Sequence, residues 1–259
     1  MAIETGIGWC DSTVNFWHGC KKVSPGCKYC YMMRDKKRYK QNPTLVKRST
    51  PGTFNQALRW KEPKRIFTCS WSDFFIKEAD AWRADAWDVI RRTPHHTWLI
   101  LTKRIDRVME CLPPDWGEKG YANVWIGVSV EDQKHYSRVA KLAKVPAALR
   151  FVSFEPLLGA INIPDVSFYR KHIRWSILGG ESGNDQGKWL YRPSELHWYS
   201  NIIAQLNTLN HIDIEDPAQW GHSIFVKQLG THLAKIHGLK DRAGADKNEW
   251  PPEVQRLQF

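Results

Sequence analysis

Arg65-Ile66-Phe67-Thr68-Cys69-Ser70, then the segment 79–92, then Thr97-Trp98-Leu99-Ile100-Leu101-Thr102, form the stretch that decides the fold. The two outer runs are short, rich in β-branched and aromatic residues and bounded by polar ones, which is how buried strands read. Between them Ala79, Trp82, Ala86, Trp87 and Ile90 recur at helical spacing and supply one apolar face. Strand, helix and strand in this order predict parallel neighbours joined by a crossover. Outward from this unit the same alternation continues. Further strands are predicted over 13–17, 124–129, 149–154, 175–178 and 224–227, and further helices over 28–40, 105–111, 132–144 and 194–207. The expected fold class is therefore α/β, a partial or complete (β/α) barrel with parallel strands.

In such barrels functional side chains gather where strands end. The predicted strands end in Cys69-Ser70-Trp71-Ser72-Asp73, Thr102-Lys103-Arg104, Ser129-Val130-Glu131-Asp132, Ser153-Phe154-Glu155 and Gly179-Gly180-Glu181-Ser182. Strand packing gives no reason for carboxylates and hydroxyls to recur at one edge, although helix N-capping accounts for individual Ser, Asp and Glu residues. Glycines at 179 and 180 are expected to let backbone approach a ligand closely, because no Cβ intervenes.

The first predicted strand runs into Trp17-His18-Gly19-Cys20-Lys21-Lys22-Val23-Ser24-Pro25-Gly26-Cys27-Lys28-Tyr29-Cys30-Tyr31. Cys27 and Cys30 stand three apart at the entry to a helix, and Ser24-Pro25-Gly26 reads as a turn that folds the longer arm back towards Cys20. Three thiolates in one loop suit an iron–sulfur cubane with one iron left open to a small molecule. A zinc site is the rival, with Cys10 as a fourth thiolate, although zinc hooks are usually paired and tightly spaced. Cys69 and Cys111 read as small buried hydrophobes, with Cys69 also a candidate hydrogen-donating thiol at the barrel mouth.

Charge is concentrated around this loop. Residues 21–65 hold 14 Lys and Arg against 2 acidic residues, a surplus of twelve, while the whole chain carries +11. Lys36, Lys37, Arg38, Lys40, Lys47 and Arg48 are expected to meet the phosphates of a nucleic acid or nucleotide, with Tyr31, Tyr39, Phe54 and Trp60 offering faces for bases. A solvated helix face is the alternative. At 259 residues and 42% hydrophobic content the chain can bury a sizeable core. It has no run of about 18 apolar residues and no basic-then-apolar leader, so neither membrane insertion nor export is expected. Six cysteines do not make a disulfide scaffold at this length, and a reducing cytoplasm is the expected location.

Taken with Trp71-Ser72-Asp73, Leu101-Thr102-Lys103-Arg104, Trp125–Glu131, Ser153–Leu157 and Gly179–Gly183, the cysteine loop resembles a phage-associated branch of the radical S-adenosylmethionine (radical SAM) enzymes, over most of residues 1–230. The usual loop of that superfamily is Cys-x3-Cys-x2-Cys with an aromatic residue before the last cysteine. Here the first interval is three residues longer, and Tyr29 keeps the aromatic position. The resemblance implies a radical SAM-type barrel over 1–230 with a C-terminal extension, 231–259, packed on it. It implies a [4Fe-4S] cluster on Cys20, Cys27 and Cys30, with Cys10 outside the ligand set. S-adenosylmethionine would be met by Tyr29 beside the adenine, by Ser70, Ser72 and Asp73 at the methionine amino group, and by Ser129, Glu131, Glu155, Gly179 and Gly180 elsewhere. Lys103 and Arg104 would bind the cofactor carboxylate or a substrate phosphate. Cys69 and Glu181 are the candidate catalytic side chains, and Trp189-Leu190-Tyr191-Arg192 a candidate border of the substrate opening. The implied activity is radical modification of a nucleobase, an isomerisation that moves a glycyl substituent of hypermodified thymidine in phage DNA from nitrogen to carbon. An external electron donor such as flavodoxin or ferredoxin would supply the reducing electron. Modification of a peptide or metabolite, and a zinc-containing nucleic-acid-binding protein without turnover, are the alternative readings.

Overall fold

The computed structural model describes residues 5–185, 190–208 and 222–255, and Trp189 lies outside them. Two compact units are resolved. The first holds the described residues up to Val128 together with Lys144–Leu149, and the second holds Ser129–Ala143 and the described residues from Arg150 onwards.

In the first unit the chain runs β1 (Ser12–Val14), β2 (Trp17–His18), α1 (Tyr31–Arg38), β3 (Lys47–Arg48), α2 (Pro51–Phe54), β4 (Arg65–Thr68), α3 (Asp80–Arg91), β5 (Thr97–Thr102) and β6 (Val124–Ser129). Strands β1, β4, β5 and β6 lie side by side in that order and are all parallel, while β2 and β3 make a small antiparallel pair. The core strands are apolar almost throughout because both faces are covered; Trp98, Leu99 and Ile100 on β5 are fully buried. Aromatic packing holds the unit together. Phe16 sits 4.8 Å from Phe54, 5.6 Å from Trp98 and 6.2 Å from Phe74, and Phe74 lies 4.8 Å from Trp87. Each such pair contributes about 0.5–1.5 kcal/mol beyond its buried area.

The second unit carries α4 (Ser137–Ala143), β7 (Leu149–Phe154), α5 (Val166–His172), β8 (Trp175–Gly179), α6 (Leu196–Asn207), β9 (Ser223–Gln228), α7 (Gly230–Ile236) and α8 (Pro252–Gln255). Strands β7, β8 and β9 are parallel neighbours in that order. Asp165 caps α5 by accepting the Phe168 N–H at 2.7 Å, and buried Tyr169 on that helix shares a 2.6 Å hydrogen bond with Ser176 of β8. The outcome is a mixed α/β fold with seven parallel strands joined by crossovers, consistent with a partial (β/α) barrel. Among the described residues no helix is long and apolar enough to cross a membrane.

Several elements differ from expectation. The strand predicted over 13–17 breaks after Val14, because Asn15 turns to bond the Trp71 N–H at 2.7 Å and Phe16 drops into the aromatic core. The helix predicted over 105–111 is two short 3-10 turns, Ile105–Arg107 and Met109–Cys111; Leu112 is extended, as a residue before Pro113 prefers. On α3 the packing face includes Arg83 rather than Trp82. The Arg83 guanidinium donates to Phe74 O at 3.1 Å and Ile76 O at 2.7 Å and pairs with Asp80, so its charge is satisfied where it is buried.

Candidate functional site

In the first unit the polar residues that follow β1, β4 and β5 share one edge, since the strands are parallel, and the cysteine loop hangs from that edge. Both sides of Cys20 are pinned. Gly19 donates its N–H to Trp71 O at 3.0 Å, its carbonyl accepts Ser72 Oγ at 2.6 Å, and the Cys20 N–H reaches Pro43 O at 2.9 Å. Gly19 has φ +92, and a Cβ there would stand 2.3 Å from Leu45 O. Gly19→Ala is accordingly expected to cost about 2–4 kcal/mol, from the left-handed backbone and the clash together, read as a lower denaturation midpoint. An unchanged midpoint would mean that the loop is not seated this way.

Beyond the Ser24-Pro25-Gly26 turn, Cys30 is the N-cap of α1, at the end where a helix presents its unpaired N–H groups. Cys20, Cys27 and Cys30 are all free and half-buried, and Cys20 lies close enough to the other two to feel their charge. Burial, the largest influence, pushes the Cys20 thiol up to about 12, and it raises Cys30 as well. These groups suit a cluster. The desolvated Cys20 and Cys30 thiols gain a counter-charge when they bind iron, and the N-terminal end of α1 favours a thiolate at Cys30. Among the described residues no three His, Cys, Asp or Glu side chains converge as ligands of one ion would. A cubane asks for something different, since each thiolate binds a separate iron.

Asp73 organises this edge. Its carboxylate, nearly buried, accepts from Phe75 N–H at 3.0 Å, Thr102 Oγ at 2.8 Å, Lys103 N–H at 3.1 Å and Arg104 Nη1 at 3.2 Å. With its lone pairs occupied, it is not open to a methionine amino group. Ser72 donates its hydroxyl hydrogen to Gly19 O, and Ser70 shares its hydroxyl with Asn15, at 3.1 Å from Nδ2. Arg104 turns towards the loop, with Nη1 at 3.8 Å from Cys20 Sγ and Nη2 at 2.8 Å from Lys21 O. Tyr29 is half-buried with the Lys28 ammonium 5.1 Å from its ring. Cys69 is fully enclosed at φ 58, and burial pushes its thiol well up. That makes it a strut behind the loop, not a thiol at an open mouth. Cys10 is buried beside Arg65, at the opposite end of β1 and β4 from the loop.

Lys36 also differs from its expected role. It is 2% exposed, with Nζ 2.5 Å from His18 Nδ1 and 3.1 Å from Gln41 Oε1, so it cannot lie on phosphates. Lys37, Arg38, Lys40 and Lys47 are exposed and, among the described residues, have no acidic partner. Arg48 is exposed but pairs with Asp85 at 2.7 Å and covers the Phe54 ring at 4.4 Å.

In the second unit the carboxylates at the strand ends are answered by protein cations, as buried carboxylates must be. Glu131, fully buried, takes Arg138 Nη1 at 2.7 Å, which also reaches Ser129 O. Glu181 is gripped by Arg192, from Nε at 2.9 Å and Nη2 at 2.5 Å, with the Arg192 N–H at 2.9 Å. Glu155 bridges across β8 to Lys227 Nζ at 2.5 Å. The bridge explains Gly179, whose Cβ would stand 3.1 Å from the Glu155 carboxyl carbon. At Gly180 a Cβ would lie 2.2 Å from Leu229 O. Both glycines thus make room for protein groups rather than for a ligand. Lys227, Arg138 and Asn15 were missed as organising residues, and Arg192, expected at the border of a substrate opening, holds Glu181; a lone cation or amide in sequence carries no sign of which remote carboxylate or N–H it will meet.

The family model described as "Protein of unknown function (DUF5131)" matches residues 4–246. The chain belongs to that family. No curated protein and no solved structure matches it.

Proposed function

We propose that this member of the family is a radical SAM enzyme that holds a [4Fe-4S] cluster on Cys20, Cys27 and Cys30 and modifies a nucleobase, by isomerising a glycyl-type substituent on hypermodified thymidine in phage DNA. The observation that carries the reading is the preshaped cysteine loop. Three free, half-buried thiols hang from the C-terminal edge of a parallel sheet, with the N-terminus of α1 at Cys30 and a guanidinium nitrogen 3.8 Å from Cys20 Sγ. When bound, the cluster with S-adenosylmethionine supplies one-electron cleavage to a 5′-deoxyadenosyl radical, the electron coming from a donor such as flavodoxin or ferredoxin. The chain's own contribution is positional. Gly19 and Ser72 hold the first arm of the loop, Cys30 is presented at the start of α1, and Asp73 fixes the Phe75 and Lys103 backbone at the same edge.

Support for a polyanionic substrate comes from the same unit, where Lys37, Arg38, Lys40 and Lys47 present unneutralised charge beside exposed Tyr39. Replacing Lys37, Arg38 and Lys40 together by Ala is expected to reduce the slope of log affinity for DNA against log salt by about three. A slope unaltered by the triple change would remove the basic face from the account. The deciding experiment is mass spectrometry of nucleosides from phage DNA made with and without the active protein. A modified thymidine whose mass is unchanged but whose fragmentation shifts from base loss to a carbon-linked substituent is the expected result, and identical nucleosides in both samples would refute the substrate.

A further inference from the structure

Arg104 brings its charge to Cys20 by a route that its neighbours set. Its Nη1 lies between Asp73 Oδ2 at 3.2 Å and Cys20 Sγ at 3.8 Å, and its Nη2 holds Lys21 O at 2.8 Å. The Arg104 side chain is only 11% exposed. It cannot swing away without leaving Asp73, and Asp73 is fixed by Thr102 and by the Phe75 and Lys103 N–H groups. Next to it Lys21 forms an ion pair with Glu78, so the backbone at Cys20 and Lys21 is clasped from two sides. At Cys27, by contrast, the neighbour is Ser24 Oγ, 3.9 Å from the sulfur.

We infer that Arg104, held by Asp73, is a positioning residue for Cys20 that raises the reduction potential of the proposed cluster and slows its loss. The inference rests on the cluster assignment above. Three thiolates on a cubane leave the whole negatively charged, and reduction makes it more so. A fixed cation and an N–H···S contact therefore stabilise the reduced state more than the oxidised one. Low exposure strengthens the effect by limiting screening. The second arm, on Lys21 O, restrains the chain that carries Cys20, so that arm acts on cluster retention rather than on potential.

Anaerobically reconstituted wild type, Arg104→Gln and Arg104→Lys separate these effects, with iron content, electron paramagnetic resonance during redox titration, and the rate of iron loss to a chelator as readouts. Arg104→Gln is expected to disfavour reduction at least tenfold, about 59 mV more negative for one electron, and to lose iron faster. Arg104→Lys keeps the charge and loses the fork, so its potential should return most of the way to wild type while iron loss stays fast. If Arg104→Gln takes up no iron but Arg104→Lys does, charge at Cys20 is required and the inference stands. It falls if Arg104→Gln holds a cubane at the wild-type potential, if both variants shift equally, or if neither takes up iron while circular dichroism remains native. Wild type that takes up no cubane would refute the cluster assignment itself, a result distinct from all of these.

Discussion

Cys20→Ala, Cys27→Ala and Cys30→Ala should each reduce 5′-deoxyadenosine formation from S-adenosylmethionine to background, while Cys10→Ala leaves it intact. The reason is stoichiometric: three thiolates hold three corners of a cubane and leave one iron free, so losing any thiolate removes a corner the loop cannot replace. Cys69, behind the loop, is closed off from solvent. Cys10 lies by Arg65 at the far end of the strands. Reconstituted wild type should carry about four irons per chain. Colourless protein with a single tightly bound zinc, or loss of the cluster in Cys10→Ala, would overturn the ligand assignment.

Asp73→Ala is expected to destabilise the fold by about 3–5 kcal/mol, the range for removing one partner of a buried, hydrogen-bonded charge pair. Four donors lose their acceptor at once: Thr102 Oγ, the Phe75 and Lys103 N–H groups, and the Arg104 guanidinium. The guanidinium keeps only Lys21 O and the Cys20 sulfur as partners. A loss of this size is a large share of the 5–15 kcal/mol that usually separates folded from unfolded protein. Chemical denaturation monitored by tryptophan fluorescence measures it. A change below about 1 kcal/mol would show that the four hydrogen bonds are not jointly held by this carboxylate. Because the same residue seats Arg104, the variant should also retain iron poorly under conditions where it is folded.

The parallel strands were legible for a simple reason. Runs such as Thr97–Thr102, Val124–Ser129 and Leu149–Phe154 are covered on both faces, so they are nearly continuous in apolar residues and end sharply at polar ones. The segment 105–111 was not, since its apolar spacing is helical but the extended Leu112 before Pro113 and Pro114 leaves room only for 3-10 turns. Lys36 illustrates a different limit. A lysine in a basic run looks like part of a charged face, and only the turn of α1 that places it over His18 and Gln41 reveals a buried ammonium. Val166–His172 escaped notice because its helical signal is short and carried mainly by the Asp165 cap.

By itself the sequence determined the parallel α/β alternation, the placement of a three-cysteine loop after the first strand, and the concentration of positive charge around it. These depend on residues close together along the chain, where period, spacing and composition are directly readable. Only tertiary structure decided what the strand-end side chains do. Glu155 meets Lys227 from 72 residues away and Arg104 meets Cys20 from 84, so groups that looked available for a ligand are already bound to one another. Desolvation is the physical reason: a carboxylate or guanidinium taken out of water must find a partner, and which partner it finds is set by where the folded backbone brings the two together.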